Sequence, residues 1–172
     1  MLRRFGVHTK GAIAIEFAMI FPIMITIYFG VVEMSNALAA NRKVTMLTST
    51  VGDLVAQFAT VGPTKMAGLY AGAEEIMRPF DINGTDQLKI TVYSVSAIPA
   101  NNWSYTPNGA CVGGAPNVPA NLLASGGSVI VSHVCYRHDS ILHKFFATDP
   151  TFTETFFLRP RQVDDITWVA TE

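Results

Sequence analysis

A carboxylate inside an apolar run is the feature of this chain with the clearest chemical consequence. Glu16 lies five residues after Gly11, in a run that is predominantly apolar from Ala12 to Val32. An ionised carboxylate at the centre of a membrane span costs roughly 2.5–3.5 kcal/mol, and less near the end of the span. Because an apolar side chain avoids that cost, the sequence predicts a functional role for Glu16.

Other residue types that carry chemistry do not form a recognisable catalytic or metal-binding set. His133, His138 and His143 recur every five residues, a spacing that would scatter them around a helix. The sequence contains no phosphate-binding glycine loop and no nucleophile elbow. We interpret Asp164 and Asp165 as a solvated turn rather than an acid–base pair. We therefore expect no catalytic residues, no metal, no other cofactor and no small-molecule substrate.

The length and flanking charge of the apolar run predict a single-pass membrane helix. The segment Ala12–Val32 would be about 31 Å long as a helix, which matches a hydrocarbon core of roughly 30 Å. Arg3, Arg4 and Lys10 precede it, and positive charge next to a span stays in the cytoplasm. We expect the N-terminus inside and residues 33–172 outside.

Several residues in and around the apolar run follow one pattern. A basic leader precedes a glycine, four small or apolar residues, a glutamate and an aromatic residue; a proline lies within the span and a second glutamate at its far end. This pattern resembles the TadE-like minor pseudopilins of tight-adherence (Flp-type) pilus systems, over roughly residues 10–57, with a weaker echo at residues 159–161. The residues that carry it are Gly11, Glu16, Phe17, Pro22 and Glu33.

The resemblance implies a role in pilus assembly, without catalysis by the chain itself. A prepilin peptidase would cut between Gly11 and Ala12, and Glu16 would then pair with the positive N-terminus of a neighbouring subunit. Such a pair removes the penalty of an isolated carboxylate in hydrocarbon and fixes the axial register of the subunits. The implied partners are the membrane, the peptidase, other pilins or pseudopilins, and the pilus assembly platform. A net charge of −1 argues against a nucleic-acid partner.

Two alternatives for the apolar run stay open. In the first, the run is a signal anchor of a periplasmic binding or scaffold protein unrelated to pili. Glu16 would then have no specific role, and its carboxylate would reach the membrane–water interface. In the second, the run is a signal peptide cleaved after Ala39, which would release a secreted hydrolase. The run is longer than the usual signal-peptide core of about 7–15 residues, and Glu33 separates it from that cleavage site.

Beyond the span, the patterns predict an α+β fold in which the long helix packs on a small antiparallel sheet. Residues 33–61 continue with helical spacing, Gly62-Pro63 breaks the helix, and a second helix covers Thr64–Met77. The expected apolar stripe comprises Val44, Leu47, Val51, Leu54, Val55 and Phe58, packing against the chain's own domain, against other pilins, or both.

Alternating and apolar runs predict strands at Leu88–Val95, Ser128–Tyr136 and Phe152–Leu158, with a fourth at Val163–Val169. Residues 97–127 are predicted to be a long loop, and residues 141–147 one or two helical turns. The predicted organisation is a leader at 1–11, a transmembrane helix at 12–32, an extracytoplasmic helical segment at 33–79 and a periplasmic head at 80–172. The protein is expected in a bacterial inner membrane.

The two cysteines of the chain, Cys111 and Cys135, lie on the expected outer side of the membrane. An oxidising compartment favours a disulfide between them, rather than two separate buried thiols. It would close about 25 residues and contribute about 3 kcal/mol. Trp103 and Tyr105 in the predicted loop are either a partner-contact patch or aromatic residues tucked onto the sheet.

Overall fold

The computed structural model describes residues 9–80, 82, 87–114, 116–123, 127–140 and 149–171. It has an α+β fold, as expected, in which a long N-terminal helix is followed by a small antiparallel sheet. A 3₁₀ turn lies at Pro99–Asn101, between the strands Leu88–Ser96 and Trp103–Tyr105. The elements are α1 Thr9–Ala56, β1 Thr60–Val61, α2 Pro63–Met77, β2 Leu88–Ser96, β3 Trp103–Tyr105, α3 Ala120–Leu123, β4 Ser128–Arg137, β5 Thr151–Leu158 and β6 Thr167–Trp168.

The chain forms two compact units, Met1–Leu38 and Ala39–Glu172, and the boundary between them falls within α1. In the first unit, the large apolar side chains of α1 are exposed over almost its whole length. Among the residues that the structure describes, this is the one helix long and apolar enough to cross a membrane. The segment therefore suggests a single-pass membrane anchor.

The second unit is built on a four-stranded antiparallel sheet of order β3-β2-β4-β5. The central pair runs from Leu88 opposite Tyr136 to Ser96 opposite Ser128. Along β2, Ile90 and Val92 enter the core on one face, as the alternating pattern predicts. By contrast, β4 is buried at every position except Arg137, because both of its faces are covered.

Helix α1 supplies one wall of the core through an apolar stripe. Val44, Leu47, Val51 and Val55 are buried, which matches the predicted helical spacing. Leu54 instead remains 39% exposed. The buried face of the helix continues from Val51 to Val55, four residues later, and Leu54 lies at the edge of that face. For these residues, the stripe packs within the chain's own domain.

Two parts of the predicted strand arrangement were wrong. Part of the predicted loop at 97–127 is the edge strand β3, which pairs with β2 through Trp103 opposite Ser94. The predicted fourth strand is only β6, and it pairs in parallel with β1 rather than joining the main sheet. Three-residue and two-residue strands show no alternation that a sequence pattern would reveal. The helical turns predicted at 141–147 lie outside the described residues.

The ends of the predicted helices also differ in detail. α2 occupies Pro63–Met77, close to the prediction, with proline in its first turn, where no backbone donor is needed. The first helix ends at Ala56 rather than near residue 61. There the backbone N–H of Arg161 donates to the Ala56 carbonyl at 2.9 Å, which satisfies one of the exposed acceptors of a helix end.

Candidate functional site

The glycine of the predicted processing site is not required by the fold. Gly11 lies in the first turn of α1, is exposed, and would accept a Cβ with no atom within 4 Å. It does not have a positive φ either. Glycine in a helix costs about 1 kcal/mol relative to alanine. Because the folded chain does not require glycine at position 11, we expect its role to lie in an interaction with another molecule.

Glu16 projects from a helix surface that is otherwise apolar. It lies about 6 Å along the axis from Ala12, at 1.5 Å per residue. Its side chain is exposed, as are those of Ile13 at 66% and Ile20 at 53%. No ion pair to Glu16 is formed within the described residues. A carboxylate in such surroundings is stabilised by a cationic partner or by water at the membrane interface.

The aromatic residue next to Glu16 contributes to the same exposed surface. Phe17 packs on Phe21, one helical turn further along, with ring centroids 5.5 Å apart. Both rings nevertheless remain about half exposed, at 58% and 47%. Packing within the helix therefore leaves most of the Phe17 ring available to lipid or to another apolar helix.

Pro22 lies inside α1 without ending it. Proline removes one backbone donor from the helix, which leaves a carbonyl in the preceding turn without its usual partner. The Thr26 hydroxyl donates to the Pro22 carbonyl at 2.8 Å, so an additional local bond supports this part of the helix. Serine and threonine hydroxyls of this kind help a membrane helix to accommodate proline.

The second glutamate of the pattern is in a different setting. Glu33 is half-buried, about 26 Å along the helix from Glu16. At 100° per residue, the two side chains also point about 100° apart around the helix axis. A single charged group therefore cannot pair with both carboxylates. That Glu33 marks the outer boundary of the span stays a prediction.

Cys111 and Cys135 are joined by a disulfide in the structure, with Cα atoms 5.9 Å apart. Both residues are buried. The bond ties the turn that begins at Cys111 to the central strand β4. In that turn, the Gly114 N–H donates to the Cys111 carbonyl at 3.1 Å. Formation of the bond in the cell stays a prediction.

The histidines are distributed as separate structural residues. His133 shares a 2.8 Å hydrogen bond between its Nδ1 and Thr155 Oγ1, and burial lowers its pKa. His138 is buried among the rings of Phe80, Tyr136 and Phe152. Within the described residues, no three metal-binding side chains come together. The third histidine of the series, at position 143, lies outside them.

The adjacent residues Asp164 and Asp165 differ in exposure and in role. Asp164 is exposed, whereas Asp165 is half-buried and accepts from Ser96 Oγ at 2.8 Å and Asn101 Nδ2 at 3.2 Å. The interpretation as a solvated turn is therefore incomplete, because Asp165 holds the 3₁₀ turn against the end of β2.

The structure also resolves the alternatives for the aromatic residues in the predicted loop. Trp103 is buried, and its indole N–H donates to the Ile166 carbonyl at 2.9 Å. Its ring lies 5.6 Å from that of Trp168, which also contacts Tyr105 at 6.1 Å. Trp103 is thus tucked into the core, and its interpretation as part of a partner-contact patch is wrong.

Two cationic residues tie α1 to its surroundings in ways that the sequence patterns do not predict. Lys43 donates to the carbonyls of Ile76 at 2.9 Å and Arg78 at 2.5 Å, at the end of α2. Arg161 pairs with Asp53 through its guanidinium, in addition to its backbone bond to α1. Of these two residues, the sequence analysis singled out Arg161 alone, through the weaker resemblance to the family pattern at residues 159–161.

Comparison with known proteins finds one family model that matches part of the chain. A family model described as TadE-like protein matches residues 11–51, and thus includes Gly11, Glu16, Phe17 and Glu33. No curated protein and no solved structure matches the chain. The family match confirms the resemblance of the N-terminal region and suggests a protein associated with a tight-adherence pilus. Together with the apolar helix, it supports a membrane protein of pilus assembly.

Proposed function

We propose that this chain is a minor pseudopilin that takes part in assembly of a tight-adherence, Flp-type pilus. The observation that carries the proposal is Glu16, exposed on an apolar helix surface five residues after Gly11. The match to the TadE-like model covers both residues and supports the pilus context. The chain would act as a peptidase substrate and an assembly partner, and not as an enzyme.

A prepilin peptidase is the proposed processing enzyme, cutting between Gly11 and Ala12. That bond lies in the first turn of α1, which begins at Thr9. The first four N–H groups of a helix have no acceptor within it, so this turn opens at small cost. Glycine then lets the extended backbone approach an enzyme cleft closely, because it lacks a Cβ.

Glu16 would act after this cleavage, as the fifth residue of the mature chain. Its carboxylate would pair with the new ammonium group of a neighbouring subunit. In hydrocarbon, each charge alone is penalised, so only an axial offset that brings both together is stable. The exposed apolar residues around Glu16 would contact the apolar helices of neighbouring pilins.

The proposed topology follows from the charges next to the span. Arg3, Arg4 and Lys10 would hold the N-terminus in the cytoplasm. Glu33 would mark the outer boundary, and the second compact unit would lie in the periplasm. The Cys111–Cys135 disulfide fits that location, because the periplasm is oxidising.

Complementation of a deletion strain tests the role of Glu16. Glu16→Gln keeps the size of the side chain and removes its charge, and we expect pilus number to fall by roughly tenfold or more, because a neutral amide forms a weaker pair with the ammonium group. Glu33→Gln is the matched control, because it makes the same chemical change at the other end of the span. We expect near-normal piliation from it, with both variants present in membranes at wild-type levels.

Three other results would count against the proposal. Equal piliation by both glutamine variants would show that Glu16 has no special role in assembly. Normal piliation in the deletion strain itself would show that pilus assembly does not require this chain. An uncleaved chain in the wild-type strain would favour a signal-anchored periplasmic binding or scaffold protein.

A further inference from the structure

A groove of about 250 Å³ lies on one face of the sheet, where β4 ends and β5 begins. Two adjacent rows of its lining residues cross the strands. In one row, Cys135 of β4 lies opposite Lys89 of β2 and Thr153 of β5. In the other, Arg137 of β4 lies opposite Thr151 of β5. Because directly opposed residues project to the same face, as do residues two apart on one strand, the register gathers two cations and two hydroxyls in one place.

The two cations of the groove are close enough to act on one ligand. Lys89 and Arg137 lie on neighbouring strands in neighbouring rows, so their Cα atoms are about 8 Å apart. Arg137 and both threonines are exposed, and Lys89 is half-buried, so the groove opens to solvent. An anion between the two cationic groups would attract both of them and offset their mutual repulsion.

Acidic side chains do not neutralise this lining within the described part of the chain. Asp139 and Asp149 follow β4 and precede β5, but neither lines the groove. Glu154 of β5 projects to the opposite face of the sheet, where its carboxylate accepts from Thr45 Oγ1 at 3.2 Å. The described lining is therefore positively charged and lacks a carboxylate.

A turn held by the disulfide forms one wall of the groove. The Cys111–Cys135 bond attaches this turn to β4, and the Gly114 N–H donates to the Cys111 carbonyl at 3.1 Å. Val112, in the same turn, lines the groove and is 98% exposed. The site is thus built from three paired strands and a cross-linked turn, an arrangement that needs little ordering when a ligand binds.

The size and the donors of the groove fit a small phosphate group. Its volume is below the range of roughly 300–1,000 Å³ that is usual for sites of larger organic ligands. The guanidinium of Arg137 can donate two parallel hydrogen bonds to a phosphate, and the ammonium of Lys89 acts on it as a point charge. The two threonine hydroxyls add further donors. A phosphate has enough oxygens to accept from all of these groups, whereas a carboxylate has only two.

We propose that the groove formed by Lys89, Arg137, Thr151 and Thr153 binds a phosphate group, either as free phosphate or as part of a phosphate ester. Arg137 and Lys89 hold its charged oxygens, and the two hydroxyls donate to the oxygens that remain. The chain binds the phosphate without transferring it. The inference goes beyond the pilus role and stands whether or not the chain is a pseudopilin.

Phosphorus NMR on the full-length protein tests this inference. The protein is held in a maltoside detergent, which contains no phosphate, and the probes are inorganic phosphate and glycerol 3-phosphate. We expect each bound probe to show broadening of its phosphorus signal, with a Kd of about 1–10 mM at low salt for so open a site. The affinity should fall as salt is added, because the charges are exposed to solvent. Tighter binding of glycerol 3-phosphate would identify an ester as the source, and equal binding would identify free phosphate.

Paired variants locate the binding. Arg137→Gln removes a cation from the groove, and we expect the affinity for phosphate to fall at least about fivefold, because charge-assisted hydrogen bonds are lost. Arg42→Gln is the matched control, because Arg42 is also exposed but lies on α1 and does not line the groove. We expect its affinity to stay within about twofold of the wild type, since a distant exposed charge is largely screened. Circular dichroism establishes that both variants are folded.

Three results would overturn the proposal. The first is the absence of broadening with either probe at about 20 mM, well above the expected Kd. The second is equal affinity of Arg137→Gln and Arg42→Gln for phosphate, which would show that the binding is not in the groove. The third is displacement of phosphate by an equal concentration of acetate, which would assign the site to carboxylates.

Discussion

Gly52 of α1 lies so close to Leu158 of β5 that a Cβ built on the glycine would be 2.5 Å from Leu158 Cδ1. The same Cβ would be 3.2 Å from Cβ of Ser132 on β4. The leucine end can rotate, but the Ser132 Cβ is fixed to the central strand. Gly52 therefore sets how closely the helix approaches the sheet in the second compact unit.

Replacement of Gly52 is expected to destabilise this unit. Gly52→Val forces the helix away from β4 and β5, and overpacking of this kind costs about 1–3 kcal/mol. Thermal unfolding of the full chain in detergent should show a Tm lower by at least about 3 °C. Gly72→Val is the matched control, because Gly72 is exposed in α2 and a Cβ added there would have no atom within 4 Å. A Tm of Gly52→Val equal to that of the control would show that the close approach is unimportant.

Because of the Cys111–Cys135 disulfide, we expect the free energy of unfolding to be markedly lower when the two cysteines are reduced or replaced. Replacing both Cys111 and Cys135 with alanine should cost about 2–4 kcal/mol, since the unfolded chain regains the freedom of a long loop. Intact mass after alkylation, with and without reduction, reports directly whether the bond is present. Alkylation of both thiols in protein extracted from membranes without reductant would contradict the prediction.

The sequence predicts a helix or strand well when the residue pattern that marks it lies within one continuous segment. The buried stripe of Val44, Leu47, Val51 and Val55 repeats with a helical period, so it was predictable from the sequence. The strands β2 and β4 are likewise long enough to show their apolar character. The residues that carry the family pattern, Gly11 and Glu16, were identified through the resemblance of the N-terminal segment to the TadE-like family.

The features that the sequence did not reveal depend on contacts between distant segments. Strand β3 has only three residues, and its place in the sheet depends on the contact between Trp103 and Ile166. The end of α1 depends on Arg161, which lies far along the chain.

His133 is expected to make folding sensitive to mild acid. Its burial lowers the pKa in the folded state, so below the unfolded value of about 6.5 the unfolded chain binds the proton more readily. The contribution of neutral His133 to stability is thus present above about pH 6.5 and is lost as pH falls from there through the lower pKa of the folded state. His133→Gln should weaken the pH dependence of Tm between about pH 7 and 5. An unchanged pH dependence, or an imidazole that titrates above the usual value by NMR, would contradict this expectation.

The mature N-terminus is the measurement that tests the pseudopilin account most directly. Mass spectrometry of membrane-extracted protein from a native host should give a chain that starts at Ala12. Gly11→Val should abolish that start, because a branched side chain obstructs the backbone at the cut, whereas Gly30→Val in the same helix should leave it intact. Loss of the peptidase should have the same effect as Gly11→Val. A chain that still starts at Met1 in the wild type would contradict the account and favour a signal anchor, and a start at Ala40 would instead indicate a cleaved signal peptide.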